Sequence, residues 1–245
     1  MTPPPSAPPS SAPPSSLDLV RDHTLYSCVM GSRAFGLATE DSDTDIRGVY
    51  LAPTPLFWHF DKPPTHLDGP APEQFSWELE RFCELALRAN PNILEVLHSP
   101  LPLAVTDTGR ELLSLRAAFL TRQARATFVG YADSQRRKIE ADVRRYGAPR
   151  WKHAMHLLRL VMSCRDLLRT GELTLDVGDA RACLLDVKRG EVPWPEIESR
   201  LHRLVNEATE AEFSSPLPAL PDRARVEDFL IRTRRRSALV YGEPV

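Results

Sequence analysis

No stretch of this chain approaches the roughly 20 consecutive apolar residues that a membrane-spanning helix needs. The first residues carry neither the basic segment nor the apolar segment of a secretory signal. A cytoplasmic protein with no membrane partner is expected. Charge is also nearly balanced, 31 Lys and Arg against 33 Asp and Glu for a formal net charge of −2. That excludes a polycationic surface over the whole molecule, so any basic patch must be local. Cysteine is scarce: Cys28, Cys83, Cys164 and Cys183 lie far apart with no C-x-x-C pair. This argues against structural zinc and for a reducing compartment, and the apolar neighbours of each suggest four buried free thiols. No Ser-His-Asp or Cys-His arrangement stands at a recognisable spacing, which makes a hydrolase a distant reading.

What is present falls into three parts. Residues 1 to 16 contain only Met, Thr, Pro, Ser and Ala, too little apolar bulk to offset the entropy of ordering, and read as a disordered tail. Residues 17 to 107 mix short helices with strands. "LDLVRD" suggests a helix, and "TLYSCVM" and "DIRGVYLAP" have the β-branched and aromatic content of strands. Residues 54 to 74 show no clean period and read as loop with at most a hairpin. "EQFSW" reads as a strand leading into "SWELERFCELALRA", a helix with Ser76 as its expected N-cap. Asn90 and Pro91 stop that helix and open the next, since Pro at the first helical position after an Asn cap is favourable. Residues 108 to 245 read almost wholly as helix, with Gly171 and Gly190 as C-terminal stops.

The chemistry is concentrated in "CVMGSRAFGLATEDSDTDIRGVYLAP". An apolar run ends in Gly31-Ser32, where bare backbone N–H groups and a hydroxyl suit a phosphate that a larger residue at 31 would block. Asp43 and Asp45, two apart on an expected strand, would share a face about 7 Å apart along the backbone. Like charges so close repel unless a hard cation sits between them, and Mg²⁺ takes one or two carboxylates together with substrate phosphates and water. Each piece alone is as well explained by an acidic turn and an ordinary Gly-Ser turn. Together, between two strand-like runs, they describe a site for nucleotidyl transfer.

Gly31-Ser32, ten residues, then Asp43-Thr44-Asp45 resembles the signature of the DNA polymerase beta-like nucleotidyltransferases. With "WELERF", "NPNILEVLHSP" and "KHAMHLLRL" downstream, the chain from about 24 to 236 resembles the nucleotidyltransferases called RNA ligase-associated proteins. The resemblance implies an α+β fold: a small mixed-sheet nucleotidyltransferase core with flanking helices (17 to 107), followed by an all-helical C-terminal domain (108 to 245). It implies an NTP substrate held at its β- and γ-phosphates by Gly31 and Ser32, and two Mg²⁺ ions, or Mn²⁺, on Asp43 and Asp45. A third carboxylate would complete the metal site. Glu73, opening "EQFSW", is favoured over Glu78, which has a sufficient reason to stand in the first turn of a helix. The reaction implied moves an NMP to a hydroxyl, with an RNA end in repair as one acceptor.

Between 131 and 170 there are ten Lys and Arg against four acids. Lys152, His156, Arg159 and Ser163 form one polar stripe on an otherwise apolar helix. The stripe either faces the carboxylates and contacts triphosphate or acceptor, or is neutralised by an acid of another helix. Arg33, next to the phosphate turn, contacts substrate or faces solvent. "RTRRR" at 232 to 236 is an RNA-contacting patch or a solvated end. Met155, Met162 and the four tryptophans read as packing residues. A reading of another class is a catalytically silent nucleotide- or RNA-binding module acting through a partner. Oligomeric state is not legible.

Overall fold

The structure, a computed structural model, describes residues 15 to 241. The expected tail lies outside the described residues up to position 14. Ser15 is the N-cap of α1 (Ser16–His23), sealing it with a reciprocal capping box to Asp18. There follow β1 (Thr24–Met30), α2 (Gly31–Ala34) and β2 (Asp45–Tyr50), then a 3₁₀ turn (Thr54–Trp58), β3 (His66–Asp68) and β4 (Gln74–Glu78). Next come α3 (Leu79–Leu87), α4 (Pro91–Leu97) and β5 (Pro102–Val105). The remainder is helical: α5 (Asp107–Ser114), α6 (Arg116–Phe119), α7 (Ala124–Tyr146), α8 (Trp151–Thr170), a 3₁₀ turn (Gly178–Ala180), α9 (Arg181–Arg189), α10 (Trp194–Ser214) and α11 (Arg223–Tyr241). The α+β class expected from the sequence is what the chain adopts.

The five strands form one mixed sheet in the order β3-β4-β2-β1-β5, with β2 and β4 parallel and the other pairs antiparallel. Because side chains alternate along a strand, the pairing Met30–Asp45, Cys28–Arg47 and Arg47–Phe75 puts all of these residues on one face. Tyr26 shares that face, and its buried hydroxyl donates to the Val96 carbonyl of α4 at 3.0 Å. The opposite face carries Tyr50 and Ala52, which close a small second cluster with Leu19. The larger core runs without a break from Leu25 to Phe229, joining buried residues on both sides of position 107.

Several local expectations are corrected. Ser76 does not cap α3; it is fully buried in β4, and the Glu78 carboxylate accepts from the Glu80 N–H at 2.8 Å as the cap. The strand runs one residue further than "EQFSW", because the Tyr50–Glu78 pairing continues the ladder. The edge strand β5 was not anticipated in "PLAV". Cys28, Cys83 and Cys164 are buried, but Cys183 is exposed on α9, where its sulfur accepts from Arg200. Trp58 is half exposed, and Trp77 turns to the cleft described below.

Within the "RTRRR" run, Arg232, Arg235 and Arg236 are exposed, as a solvated end would leave them, and Arg234 is drawn inward. Arg234 lies 2.9 Å from the buried Glu78 carboxylate, stacks over Phe57 at 4.1 Å, and donates to the Ala52 carbonyl. Arg236 pairs with Glu111, and Arg232 with Asp228. So α11 fastens onto the sheet's second face. Burial pushes the Glu78 carboxyl up from its ordinary value, while Arg234 and the Glu80 N–H pull it back. Replacing Arg234 by Met would leave that carboxyl buried and unpaired, and should cost about 3–5 kcal/mol. A carboxyl whose pKa is raised by folding contributes stability below its ordinary value of 4.5 and loses it as pH rises through the shifted value. Denaturant melts should therefore show the deficit of Arg234→Met against the wild-type chain largest at neutral pH and shrinking toward pH 4.5. A deficit independent of pH would show that the pair is not its cause.

Candidate active site

β1 ends at Met30, and the chain turns at once through Gly31, whose φ of +65° is one that side chains with a Cβ rarely adopt. A second constraint acts at the same residue. A Cβ at 31 would fall inside the van der Waals envelope of the Asp45 Oδ2 and 3.1 Å from its carboxyl carbon. Glycine is required because the Asp45 carboxylate lies directly against the backbone of the turn. The loop after α2 is fastened by the helical part of the chain: Val177 N–H donates to the Phe35 carbonyl at 3.1 Å, and Arg181 donates to the carbonyls of Gly36 and Ala38.

The turn opens on a cleft of about 590 Å³, within the range of small-molecule sites. Gly31 and Asp45 line one wall with Arg47, Phe75 and Trp77 of the sheet; Asn92 and Glu95 of α4, and His153, His156 and Arg159 of α8, line the other. Tyr131 and Gln135 of α7 stand at its edge. Of the expected residues, Gly31, Asp45, His156 and Arg159 are thus brought together. Ser32 is half-buried next to Gly31. Asp43 is exposed in the loop before β2, so Asp43 and Asp45 do not sit on one strand as expected; the strand begins at Asp45. Arg33 and Lys152 are exposed and do not line the cleft, and Arg33 donates to the Ser42 carbonyl, bracing the loop that carries Asp43.

Neither candidate for the third carboxylate, Glu73 or Glu78, lines the cleft; besides Asp45 the acid that does is Glu95. Glu78 belongs to the sheet's other face. Glu73 is exposed at φ +56°, one residue before β4, at the position that extends the β2–β4 register to Asp45. Its carbonyl accepts from the Ile46 N–H at 3.0 Å and from Arg47 at 2.8 Å. Among the described residues, no three His, Cys, Asp or Glu side chains gather as a metal cluster.

Electrostatics across the cleft are equally specific. Arg159 and Glu95, 7% and 5% exposed, pair at 2.7 Å, and the guanidinium stacks 3.6 Å from the centre of the Phe35 ring. The stripe on α8 is therefore neutralised in part by an acid of another helix, one of the two outcomes left open by its pattern. The Arg159 Nε is buried without a partner. Burial, then the charges of Arg159 and Lys152, push His156 down to about 4, so it is uncharged at neutral pH and offers a hydrogen bond rather than a cation. Arg47, Glu95 and Asn92 were not singled out from the sequence. Arg47 carried a signal, its position two residues after Asp45 on the same strand; Glu95 carried a fainter one, an acid within the apolar "NILEVL".

A Gly-Ser turn between two antiparallel strands, pressed against an aspartate of the second strand, is the arrangement expected of a DNA polymerase beta-like nucleotidyltransferase core. The model of the RNA repair pathway DNA polymerase beta family matches residues 18–232, and the chain belongs to that family. It is also 24% identical over 153 residues to a Bacillus subtilis (strain 168) protein described as uncharacterized protein YcgL, an alignment covering 61% of this chain and 58% of that one. No helix among the described residues is long and apolar enough to cross a membrane.

Replacing Gly31 by Ala tests the contact at the centre of the site. The added Cβ and the positive φ together should lower stability by about 1–2 kcal/mol. They should also displace the Asp45 carboxylate, which a crystal structure of the variant would show; an unmoved carboxylate with unchanged melting would contradict the contact.

Proposed function

We propose that this protein is a Mg²⁺-dependent nucleotidyltransferase that moves an NMP from an NTP to a hydroxyl, with an RNA end as the acceptor. The observation that carries the reading is the bare approach of the Gly31 turn to the Asp45 carboxylate, opening on a cleft with polar groups on both walls. Family membership supports it independently.

The residues present suit a hard cation shared with substrate. Gly31 leaves the room beside the turn that the Asp45 carboxylate occupies; Asp43, in the adjoining loop, would supply a second carboxylate. Two carboxylates with phosphate oxygens are an ordinary ligand set for Mg²⁺. When bound, the ion would offset charge on the triphosphate and make the attacking hydroxyl more acidic. Gly31 and Ser32 would bind the β- and γ-phosphates, since the first N–H groups of a helix such as α2 have no partner within it. The acceptor oxygen would bond to the α-phosphorus as the bond to pyrophosphate breaks. His156, uncharged, would orient an uncharged part of nucleotide or acceptor by a hydrogen bond.

An anionic polymer as acceptor is supported by α7. Tyr131 and Gln135 at the cleft are followed on the same helical row by Lys138, by Asp142, which pairs with Arg150 at 3.4 Å, and by Arg145, so that the row leading away from the site carries more positive than negative charge. That Asp45 and Glu95 are the carboxylates lining the cleft, the second paired with Arg159, keeps a silent NTP-binding module as a second reading.

Incubation with labelled NTPs, Mg²⁺ and a pool of RNA, protein and metabolite acceptors separates the two. Label should pass to RNA ends, and Asp45→Asn should lose transfer while its circular dichroism and melting remain those of the wild-type chain. Saturable NTP binding without transfer to any acceptor would favour the module, and full transfer by Asp45→Asn would remove the site from consideration.

A further inference from the structure

Arg47 is the one cleft residue whose position is set by backbone on two strands. Its Nη1 donates to the carbonyl of Ile46 on β2 and to that of Glu73 at the start of β4, both at 2.8 Å. The guanidinium is thereby held by backbone on both strands as well as by a carboxylate. Its Nη2 forms an ion pair with the Asp45 Oδ1 at 3.5 Å, longer than a hydrogen bond, and the side chain is 28% exposed, on the cleft face.

The acids nearby do not make a two-ion site. On β4 the residues sharing the cleft face with Asp45 are Phe75 and Trp77, which offer no metal ligand, and Glu73, at the next register position, is exposed at φ +56° and does not line the cleft. Glu95 is committed to Arg159. Two divalent ions among three carboxylates leave one net positive charge to meet a triphosphate. One divalent ion and a guanidinium beside two carboxylates leave the same. A planar guanidinium also presents donors in a fork that matches phosphate oxygens.

We propose that Arg47 stands in for one of two metal ions: the site takes a single divalent cation, on Asp43 and Asp45, and Arg47 is a fixed second cation in contact with the triphosphate. The proposal rests on the nucleotidyltransferase reading above.

The full chain, saturated with a non-hydrolysable NTP analogue, is titrated with Mn²⁺ while free ion is followed by electron paramagnetic resonance. One Mn²⁺ per protein–nucleotide complex is expected; two overturn the proposal and leave nucleotide binding standing. Failure of the wild-type chain to bind the analogue at all overturns both this inference and the reading it rests on. Arg47→Met should weaken the analogue about ten-fold or more, the scale of a lost charge-assisted contact, and Arg47→Lys should weaken it less. Unchanged affinity in Arg47→Met also overturns the proposal. Should Arg47→Met fail to fold, the ion count on the wild-type chain decides.

Discussion

The organising constraint of this molecule is the contact between a backbone with no side chain and a carboxylate: Gly31 against Asp45. It is a costly arrangement in isolation, because a half-buried carboxylate lies along a turn held at positive φ, and it persists only because its surroundings fix both partners. Met30 pairs with Asp45 across the first two strands, which sets the height of the carboxylate relative to the turn. From the other side, Val177 and Arg181 hold the loop that leaves the turn. The helical part of the chain is thus more than cover for the sheet; it clamps the element that the proposed chemistry requires.

The same logic extends to the far wall of the cleft. Glu95 on α4 and Arg159 on α8 form a buried ion pair whose two halves come from different parts of the chain, and Phe35, five residues after Met30, stacks on the guanidinium. Removing either charge would strand the other in a medium that solvates it poorly. The pair therefore fixes α8 relative to the turn, and with it His153 and His156. Arg234 and Glu78 do the same on the sheet's other face, where α11 returns to meet the strand-to-helix junction of β4 and α3. Two buried pairs, one on each face of the sheet, bind the helices to the core that carries the site.

Much of this was legible in the sequence, and for physical reasons. β1 was marked by its β-branched and aromatic content, α4 by Asn90 and Pro91 at its start, α8 and α9 by Gly171 and Gly190 in left-handed caps. These are local rules, satisfied locally. Gly31 and Asp45 were legible because their spacing matches a known signature. What could not be read was long-range: that Asp43 falls short of the strand, that Glu78 is turned away by the pairing of Tyr50 with β4, and that Arg159 meets Glu95 sixty-four residues away. The arginines at 232 to 236 show the same limit, since nothing in a basic run marks out Arg234, which meets a buried acid, from neighbours that stay exposed.

The account stands most directly on where a nucleotide binds. A crystal structure of the protein with a non-hydrolysable NTP analogue and Mg²⁺ should show the triphosphate against Gly31 and Ser32, its α-phosphorus facing Asp45 and a metal ion between them. A nucleotide seated elsewhere, with Asp45 still closed against the turn and no ion beside it, would contradict it.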